Sequence, residues 1–195
     1  MKTLLLDMYG VVIKESKGNF TPYVYSHYPE TDREFYRELF EKAATGIIDS
    51  TMFFAALGFT DPENAMRDYI ENHLTLDERF LPFATAYKDK YNFVLLSNDV
   101  LEWSEHIRLY FNIDSYFNNA IISANTGYRK PDERIFAAVL DRVGIKAVDC
   151  IFVDNNTTNL EAASKLGMDT ILFNRDNEAY NGKTVYSFDE LSCIL

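Results

Sequence analysis

The sequence predicts an α/β fold, a doubly wound parallel sheet with a helical-bundle domain inserted after its first strand. Short, wholly apolar segments of the kind buried in parallel sheets alternate with helical patterns through the second half of the chain. A long region with helix signals and no strand pattern separates the first apolar segment from the others. With 195 residues, 47% of them hydrophobic, the chain is long enough for a core and a small second domain.

The first apolar segment ends in a carboxylate. Leu4, Leu5 and Leu6 have the pattern of a strand buried on both faces, and Asp7 follows them directly. The binding crevices of parallel sheets open at the carboxyl ends of the strands. Asp7 is therefore expected to be exposed and oriented beside the backbone N–H groups of the next loop, which suits a nucleophile. An aspartate at this point is also a common turn residue.

The predicted core comprises residues 1–15 and 91–195, and the predicted helical domain comprises residues 16–90. A polar loop from Lys14 to Asn19 leads into the helical domain. About four short helices are expected there, because four sites carry residues that accept hydrogen bonds from the first turn of a helix. These sites are Thr31 in a capping box with Glu34, Asp49 or Ser50, Asp61 before Pro62, and Thr75 in a capping box with Glu78.

Four more strands and four helices are predicted beyond residue 91. The strands are expected at 93–96, 120–122, 148–153 and 170–173. The helices are expected at 102–110, from Pro131 to Gly144, from Thr158 to Gly167, and from Ser187 onwards. Because the helical domain is inserted at the exit of the first strand, it should stand over the crevice that contains Asp7.

Charge and composition argue against several kinds of partner. A net charge of −11 disfavours binding to nucleic acid or to an anionic membrane surface, since both require clustered Lys and Arg. An anionic substrate would need positive charge near its binding site to offset the negative electrostatic field of the whole protein. No apolar stretch approaches the ~20 residues of a membrane span, and Asp7 interrupts the first one, so a cytoplasmic protein is expected. Cys150 and Cys193 suggest neither a disulfide framework nor a metal site.

Polar residues stand at the ends of three predicted strands and before one predicted helix. In a doubly wound sheet these positions converge on one crevice. They supply a carboxylate nucleophile, a hydroxyl, an ammonium group and a second carboxylate for a hard cation, which is what phosphoryl transfer requires. The residues are Asp7, Ser97, Asn98, Lys130, Asp154 and Asn155.

The order of these motifs around an inserted helical domain resembles the haloacid dehalogenase superfamily of hydrolases, over nearly the whole chain. The resemblance implies a Rossmann-like core with a helical cap. It places Asp7 as the nucleophile, Ser97 as the strand-end hydroxyl and Lys130 as the catalytic lysine. The segments 127–132 and 151–156 further resemble the branch that contains sugar-phosphate phosphatases and the phosphatase domains of epoxide hydrolases.

By this resemblance, the chain is expected to be a Mg²⁺-dependent phosphatase that acts on a small phosphorylated metabolite through an aspartyl-phosphate. A monomer or a homodimer is expected. The catalytic residues implied are Asp7, Ser97 and Lys130, the substrate-binding residues Tyr9, Gly10 and Asn98, and the metal ligands Asp7, the backbone carbonyl of Tyr9, Asp154 and Asn155.

Two positions depart from the family pattern. Tyr9 stands where a phosphatase usually has the aspartate that protonates the leaving group, and a phenol of pKa near ~10 is a poor base at neutral pH. Asn155 stands where the resembled branch usually has a second aspartate. An amide oxygen can still bind Mg²⁺, but one negative charge is lost.

These departures keep two alternative functions open. The sequence Asp-x-Tyr-Gly is also typical of 2-haloacid dehalogenases, which need no metal and form an aspartyl ester. A catalytically silent protein that binds a phosphorylated ligand is the other alternative.

Overall fold

The computed structural model describes residues 1–16 and 18–195. Lys17, within the predicted polar loop, lies outside the described residues. Six strands form one parallel sheet, which confirms the predicted α/β fold: β1 Thr3–Leu6, β2 Asn92–Ser97, β3 Asn119–Ile122, β4 Cys150–Asp154, β5 Asp169–Phe173 and β6 Lys183–Val185. Their order across the sheet is β3-β2-β1-β4-β5-β6. The short strand β6 is the one that sequence patterns did not predict.

The strand β1 lies at the centre of the sheet, paired with β2 on one side and β4 on the other. Leu4 and Leu6 pack in one core layer and Leu5 packs in the other, because successive side chains of a strand point to opposite faces. Asp7 continues this strand, and its N–H donates to the carbonyl of Val153 at 3.0 Å. The predicted nucleophile therefore emerges at the middle of the carboxyl edge of the sheet.

In the described part of the chain, five helices lie between β1 and β2. They are α1 Phe20–His27, α2 Arg33–Ala44, α3 Ser50–Ala56, α4 Pro62–His73 and α5 Phe80–Tyr87. The predicted caps at Asp49 and Asp61 are confirmed, since each carboxylate accepts a backbone N–H of the first turn. The cap of α2 is Asp32 rather than Thr31, because the Asp32 carboxylate accepts from the N–H of Phe35 at 2.8 Å.

The capping box predicted at Thr75 was wrong. Leu76 instead forms an antiparallel bridge with Ile13, and the N–H of Asp77 donates to the carbonyl of Val12 at 2.9 Å. Here the backbone pairs with Val12 and Ile13, in the segment that leads from β1 to the inserted helices, so no helix starts at Thr75. The helix α5 begins only at Phe80.

Five α-helices follow β2 among the described residues. They are α6 Leu101–Tyr110, α7 Ser123–Thr126, α8 Glu133–Val143, α9 Thr157–Lys165 and α10 Phe188–Ile194. Two starts differ from the prediction, because Asp132 caps α8 beyond Pro131 and Asn156 caps α9 before Thr158. The predicted end of α8 at Gly144, in left-handed conformation, and the predicted start of α10 at Ser187, which is its N-cap, are confirmed.

The inserted helices pack on the sheet domain through aromatic side chains. Trp103 of α6 lies 4.8 Å from the ring of Phe20, and its Nε1 donates to the hydroxyl of Ser50 at 2.8 Å. Helix α5 contacts α10, where Phe83 and Phe188 lie 5.0 Å apart. The domain boundary at residue 90 stays a prediction. Among the described residues, no helix has the length and apolar character needed to cross a membrane.

Candidate active site

A cavity of about 330 Å³ lies at the carboxyl ends of β1, β2 and β4. One wall consists of polar residues that follow these strands. The opposite wall is aromatic and comes mostly from the inserted helices. The polar wall includes Asp7, Tyr9, Asn98, Asp99, Lys130 and Asn155, and the aromatic wall includes Phe20, Tyr36, Phe40, Tyr69 and Trp103.

The centre of the polar wall is a lysine between two carboxylates. Lys130 Nζ lies 2.8 Å from Asp7 Oδ1 and 2.8 Å from Asp154 Oδ2, and it also donates to the carbonyl of Leu96. The lysine side chain is 1% exposed, that of Asp154 is fully buried, and that of Asp7 keeps 11% of its surface exposed. Asp7 is therefore the member of this group that a ligand in the cavity can reach.

The three charges shift one another's pKa values. Burial raises the pKa of Asp7 from 3.8 to about 7, and the negative charge of Asp154 adds to the rise while Lys130 opposes it. Burial by itself would lower the pKa of Lys130, but the two carboxylates outweigh it and raise that pKa. Lys130 therefore stays charged at neutral pH, and the group of two buried acids and one buried base carries an excess of negative charge.

Asn98 holds Lys130 in place. Its Nδ2 donates to the carbonyl of Lys130 at 2.8 Å, and its Oδ1 accepts from the N–H of Lys130 at 2.7 Å. Both polar ends of this predicted substrate-binding side chain are thus engaged with the loop before α8. The geometry gives Asn98 the role of fixing the lysine at the cavity wall.

Ser97 ends β2 with a buried hydroxyl. Within residues 1–16 and 18–195, its Oγ has no hydrogen-bond partner. Leaving a buried hydroxyl unpaired costs about 1–3 kcal/mol, so such a group calls for a specific reason. Ser97 does not itself line the cavity, although the next residue, Asn98, does.

Both carboxylate oxygens of Asp154 accept hydrogen bonds from other residues of the protein. Oδ1 accepts from the N–H of Asn156 at 2.7 Å, and Oδ2 accepts from Lys130, while the amide of Asn159 contacts both oxygens. Asp154 does not line the cavity, whereas the next residue, Asn155, does. The structure therefore brings Asp154 to the lysine, and it brings Asn155 to the position that a ligand can contact.

Gly10 and Asn155 lie in direct contact. Gly10 has φ +76°, and a Cβ at this position would collide with the side-chain amide of Asn155. Glycine is required here for both reasons, because other residues rarely adopt this conformation and there is no room for a side chain. In this structure Gly10 provides the surface on which the Asn155 amide packs, and its role in substrate binding stays a prediction.

The hydroxyl of Tyr9 is paired with Asp99. It donates to the Asp99 carboxylate over 3.3 and 3.4 Å, and both residues line the cavity. Burial, followed by the charge of Asp99, raises the pKa of Tyr9 well above 10, and burial raises that of Asp99 well above 3.8. The phenol therefore keeps its proton at neutral pH.

Sequence reasoning missed two groups of residues at this site. Arg175 and Asp176 follow β5 and reach the loop after β1, and the rule that polar residues at strand ends meet could have found them. Arg129, directly before Lys130, is the second, and it was not among the predicted site residues. Its side chain is only 25% exposed, pairs with Glu41, lies 5.5 Å from the Phe40 ring and lines the cavity.

Two curated relatives share part of this chain. The flavin mononucleotide hydrolase 1 of Arabidopsis thaliana is 32% identical over 71 residues, which are 36% of this chain and 29% of the relative. The glyceraldehyde 3-phosphate phosphatase of Methanothermobacter thermautotrophicus is 31% identical over 112 residues, which are 52% of this chain and 49% of the relative. The chain thus spans half or less of the length of these relatives.

A solved structure matches almost the whole chain. It is a haloacid dehalogenase family enzyme from Bacteroides thetaiotaomicron in complex with magnesium and inorganic phosphate, with a TM-score of 0.74 and 22% identity. The match covers 93% of this chain and 98% of that one. At this identity the likeness concerns the fold.

The family itself is identified by a family profile that matches most of the chain. The profile for the haloacid dehalogenase-like hydrolases matches residues 1–167, which include β1 to β4, the inserted helices and the entire polar wall of the cavity. The chain therefore belongs to the haloacid dehalogenase-like hydrolases.

Proposed function

We propose that this hydrolase is a Mg²⁺-dependent phosphatase for small phosphorylated metabolites that works through an aspartyl-phosphate on Asp7. The observation that carries the proposal is the environment of the Asp7 carboxylate. Its Oδ1 is held by Lys130 and by the N–H of Met8, each at 2.8 Å. No group in the described part of the chain donates a hydrogen bond to its Oδ2. A fixed carboxylate with one free oxygen on a cavity wall is suited to in-line attack.

In this proposal, oxygens of three cavity-lining residues would hold a Mg²⁺ ion. The Tyr9 backbone carbonyl and Asn155 Oδ1 accept no hydrogen bond from residues 1–16 or 18–195, and hard cations prefer such oxygen ligands. The carboxylate of Asp7 would supply the third ligand, while its Oδ2 is the atom that attacks phosphorus. No three His, Cys, Asp or Glu side chains of those residues are grouped as a metal site, so backbone and amide oxygens must complete the set. Bound there, Mg²⁺ would place positive charge next to the transferring phosphoryl group.

In this proposal Asp154, which was also predicted as a metal ligand, acts through Lys130. Its oxygens already accept hydrogen bonds from Lys130, Asn156 and Asn159. It therefore keeps the lysine charged and in place, and direct contact with the cation falls to Asn155.

The chemistry assigned to the residues is a double displacement. Asp7 attacks the phosphorus and forms an O–P bond while the bond to the leaving-group oxygen breaks. Water then hydrolyses the aspartyl-phosphate, which releases inorganic phosphate and restores the carboxylate. Lys130 stabilises the charge on the phosphoryl oxygens, and the unpartnered hydroxyl of Ser97 is assigned to assist it as a hydrogen-bond donor.

The cavity supports a small leaving group with an apolar face. Its walls carry aromatic rings, and the cations of Arg37 and Arg129 line it as well. A volume of about 330 Å³ suits a small metabolite. The relatives named as a phosphatase and as a flavin mononucleotide hydrolase support a phosphorylated substrate. The inserted helices would act as a cap that excludes water and selects the leaving group.

Tyr9 favours dehalogenation as a second candidate. The position two residues after the nucleophile carries a phenol that stays protonated, so no carboxylic acid at that position protonates a leaving group. A halide leaves without a proton. In this reaction Asp7 would displace halide from the carbon of a 2-haloacid, and water would hydrolyse the resulting ester.

One panel of substrates separates these functions. Phosphate release from sugar phosphates and other small phosphomonoesters should require Mg²⁺, disappear with a chelator, and disappear in Asp7→Asn. Halide release from 2-haloacids in the presence of the chelator would instead establish the dehalogenase. Tight binding of phosphate without any turnover would establish a silent binding protein. Full activity of Asp7→Asn would refute every one of these mechanisms.

A further inference from the structure

A carboxylate stands beside the uncharged side chain of Asn155. The Nδ2 of Asn155 donates to Asp176 Oδ2 at 3.2 Å, in the loop that follows β5. Because a carboxylate only accepts, this contact determines which end of the amide is the nitrogen. The oxygen Oδ1 is therefore the polar atom of Asn155 that remains for a ligand, and the residue lines the cavity.

The opposite side of the same nitrogen is closed by Gly10. The amide nitrogen of Asn155 packs so closely on Gly10 that a Cβ there would collide with it. Rotating the amide by half a turn would place Oδ1 against the Asp176 carboxylate and oppose two acceptors. Asp176 and Gly10 together thus hold the amide in one orientation.

Asp176 is itself fixed. Its Oδ1 accepts from the hydroxyl of Ser16 at 2.7 Å. The preceding residue, Arg175, donates to the carbonyl of Gly10 at 3.0 Å and to that of Val11 at 3.2 Å. The loop after β5 is therefore fastened to the loop after β1, and the carboxylate of Asp176 has little freedom to leave Asn155.

From this geometry we infer that Asp176 is a positioning residue of the magnesium site, acting through Asn155. It keeps Asn155 Oδ1 turned to the cation and provides, one residue further from the ion, the negative charge that position 155 lacks. The inference rests on the proposed function, because it concerns the same cation. Outer-shell partners of this kind typically change metal affinity 10- to 100-fold.

Direct measurement of Mg²⁺ binding tests the inference without relying on activity. Isothermal titration of the full chain with MgCl₂, without substrate, should give an affinity that falls about 10- to 100-fold in Asp176→Ala. The matched control is Asp169→Ala, which removes one carboxylate from the exposed start of β5, where its ion pairs span 3.8 and 4.0 Å. The control should bind Mg²⁺ like the unmodified protein.

Exchanging the two side chains provides a second test that preserves the fold. In Asn155→Asp alone, two carboxylates face each other, and thermal unfolding in EDTA should occur at a lower temperature. The double variant Asn155→Asp/Asp176→Asn restores one amide and one carboxylate in contact. It should regain the unfolding temperature and bind Mg²⁺ at least as tightly as the unmodified protein.

The outcomes separate the inference from the proposed function. Absence of Mg²⁺ binding to the unmodified protein at millimolar concentration would refute the proposed metal site. Binding that is equally tight in Asp176→Ala would overturn the inference and leave the phosphatase proposal standing. Weaker Mg²⁺ binding by the double variant than by the unmodified protein would also overturn the inference, because the amide and the carboxylate would then not be interchangeable across this contact.

Discussion

At the residue scale, the negative charge around Lys130 determines how Asp7 responds to pH. Asp7 and Asp154 are two buried acids that share one buried cation. The folded protein raises the pKa of Asp7 from 3.8 to about 7, so it holds this proton more tightly than the unfolded chain does. Without metal, the contribution of Asp7 to stability is thus present below pH 4 and is lost as the pH rises to 7.

Asp7→Asn should therefore stabilise the metal-free protein at alkaline pH. At pH 8 in EDTA we expect a gain on the order of 2 kcal/mol in the free energy of unfolding, which shrinks towards zero at pH 4. Urea unfolding at both pH values measures the gain. Asp169→Asn, at an exposed position, should change stability by less than about 0.5 kcal/mol. A variant that is less stable than the unmodified protein at pH 8 would contradict the charge argument.

Tyr9 makes a separate prediction about leaving groups. Because its phenol stays protonated and donates to Asp99, position 9 supplies no carboxylic acid for the departing oxygen. General acid catalysis contributes about 10²–10⁴-fold, so phosphomonoesters with acidic leaving groups should react faster than alkyl esters by a factor in this range. A series of aryl and alkyl phosphates, compared by kcat/KM, measures the dependence.

The control for this series is Tyr9→Phe, which removes the hydroxyl and keeps the ring. It should leave turnover of p-nitrophenyl phosphate within about threefold, since that leaving group needs no proton. Equal rates across the whole series in the unmodified protein would mean that another acid serves the leaving group.

At the scale of elements, the loop after β1 depends on one glycine. Gly10→Ala faces both an unfavourable φ of +76° and a collision with the Asn155 amide, so it should destabilise the protein by about 2 kcal/mol or more and weaken Mg²⁺ binding. Gly144→Ala is the matched control, because Gly144 has φ +70° with open space around its Cα. It should cost about 1 kcal/mol and leave Mg²⁺ binding unchanged. Equal Mg²⁺ affinities in both variants would contradict the proposed contact.

Strand ends were predicted well because the signal is local. An apolar run followed by a polar residue marks Asp7, Ser97 and Asp154 without knowledge of the fold, and β1, β2 and β4 end there. Helix starts were predicted less well where a tertiary contact competes. The capping box predicted at Thr75 does not form, because the backbone of Leu76 pairs with that of Ile13. No local sequence pattern reveals this pairing.

The sequence did not reveal which hydrogen-bond partners each polar side chain of the site has. Asn98 and Asn155 both follow a strand. Both ends of the Asn98 amide form hydrogen bonds with the backbone of Lys130, whereas only the nitrogen of the Asn155 amide is bonded, to Asp176. The difference arises from partners 32 and 21 residues away in the chain. The same applies to Arg175, whose three partners all come from segments more than 90 residues earlier.

At the scale of the whole molecule, Arg175 links the sheet to the two chain segments that lead into and out of the inserted helices. Its guanidinium donates to the carbonyls of Gly10 and Val11 and pairs with the buried carboxylate of Asp77. Removing one member of a buried ion pair leaves an uncompensated charge, which typically costs 3–5 kcal/mol. The planar fork of arginine serves all three acceptors, and lysine cannot reproduce it.

Arg175→Met should therefore lower the free energy of unfolding by about 3 kcal/mol. Adding Asp77→Asn should return part of this loss, because the double variant no longer buries an unpaired carboxylate. Urea denaturation of the two single variants and the double variant measures the coupling. Arg79→Met, in an exposed pair with Asp189, should cost less than about 1 kcal/mol. Strict additivity of the Arg175 and Asp77 changes would rule out the pairing as a source of stability.

The central place of β1 has a consequence for how the chain is made. Residues Thr3–Leu6 pair with Asn92–Leu95 on one side and with Cys150–Val153 on the other. A ribosome adds residues in order. The edge of β1 that pairs with β4 therefore stays unpaired until residues 150–153 have been synthesised. Until β4 leaves the exit tunnel, the nascent protein exposes an apolar strand edge, and the polar wall that surrounds Asp7 has yet to exist. Chaperone capture during translation should end when β4 emerges.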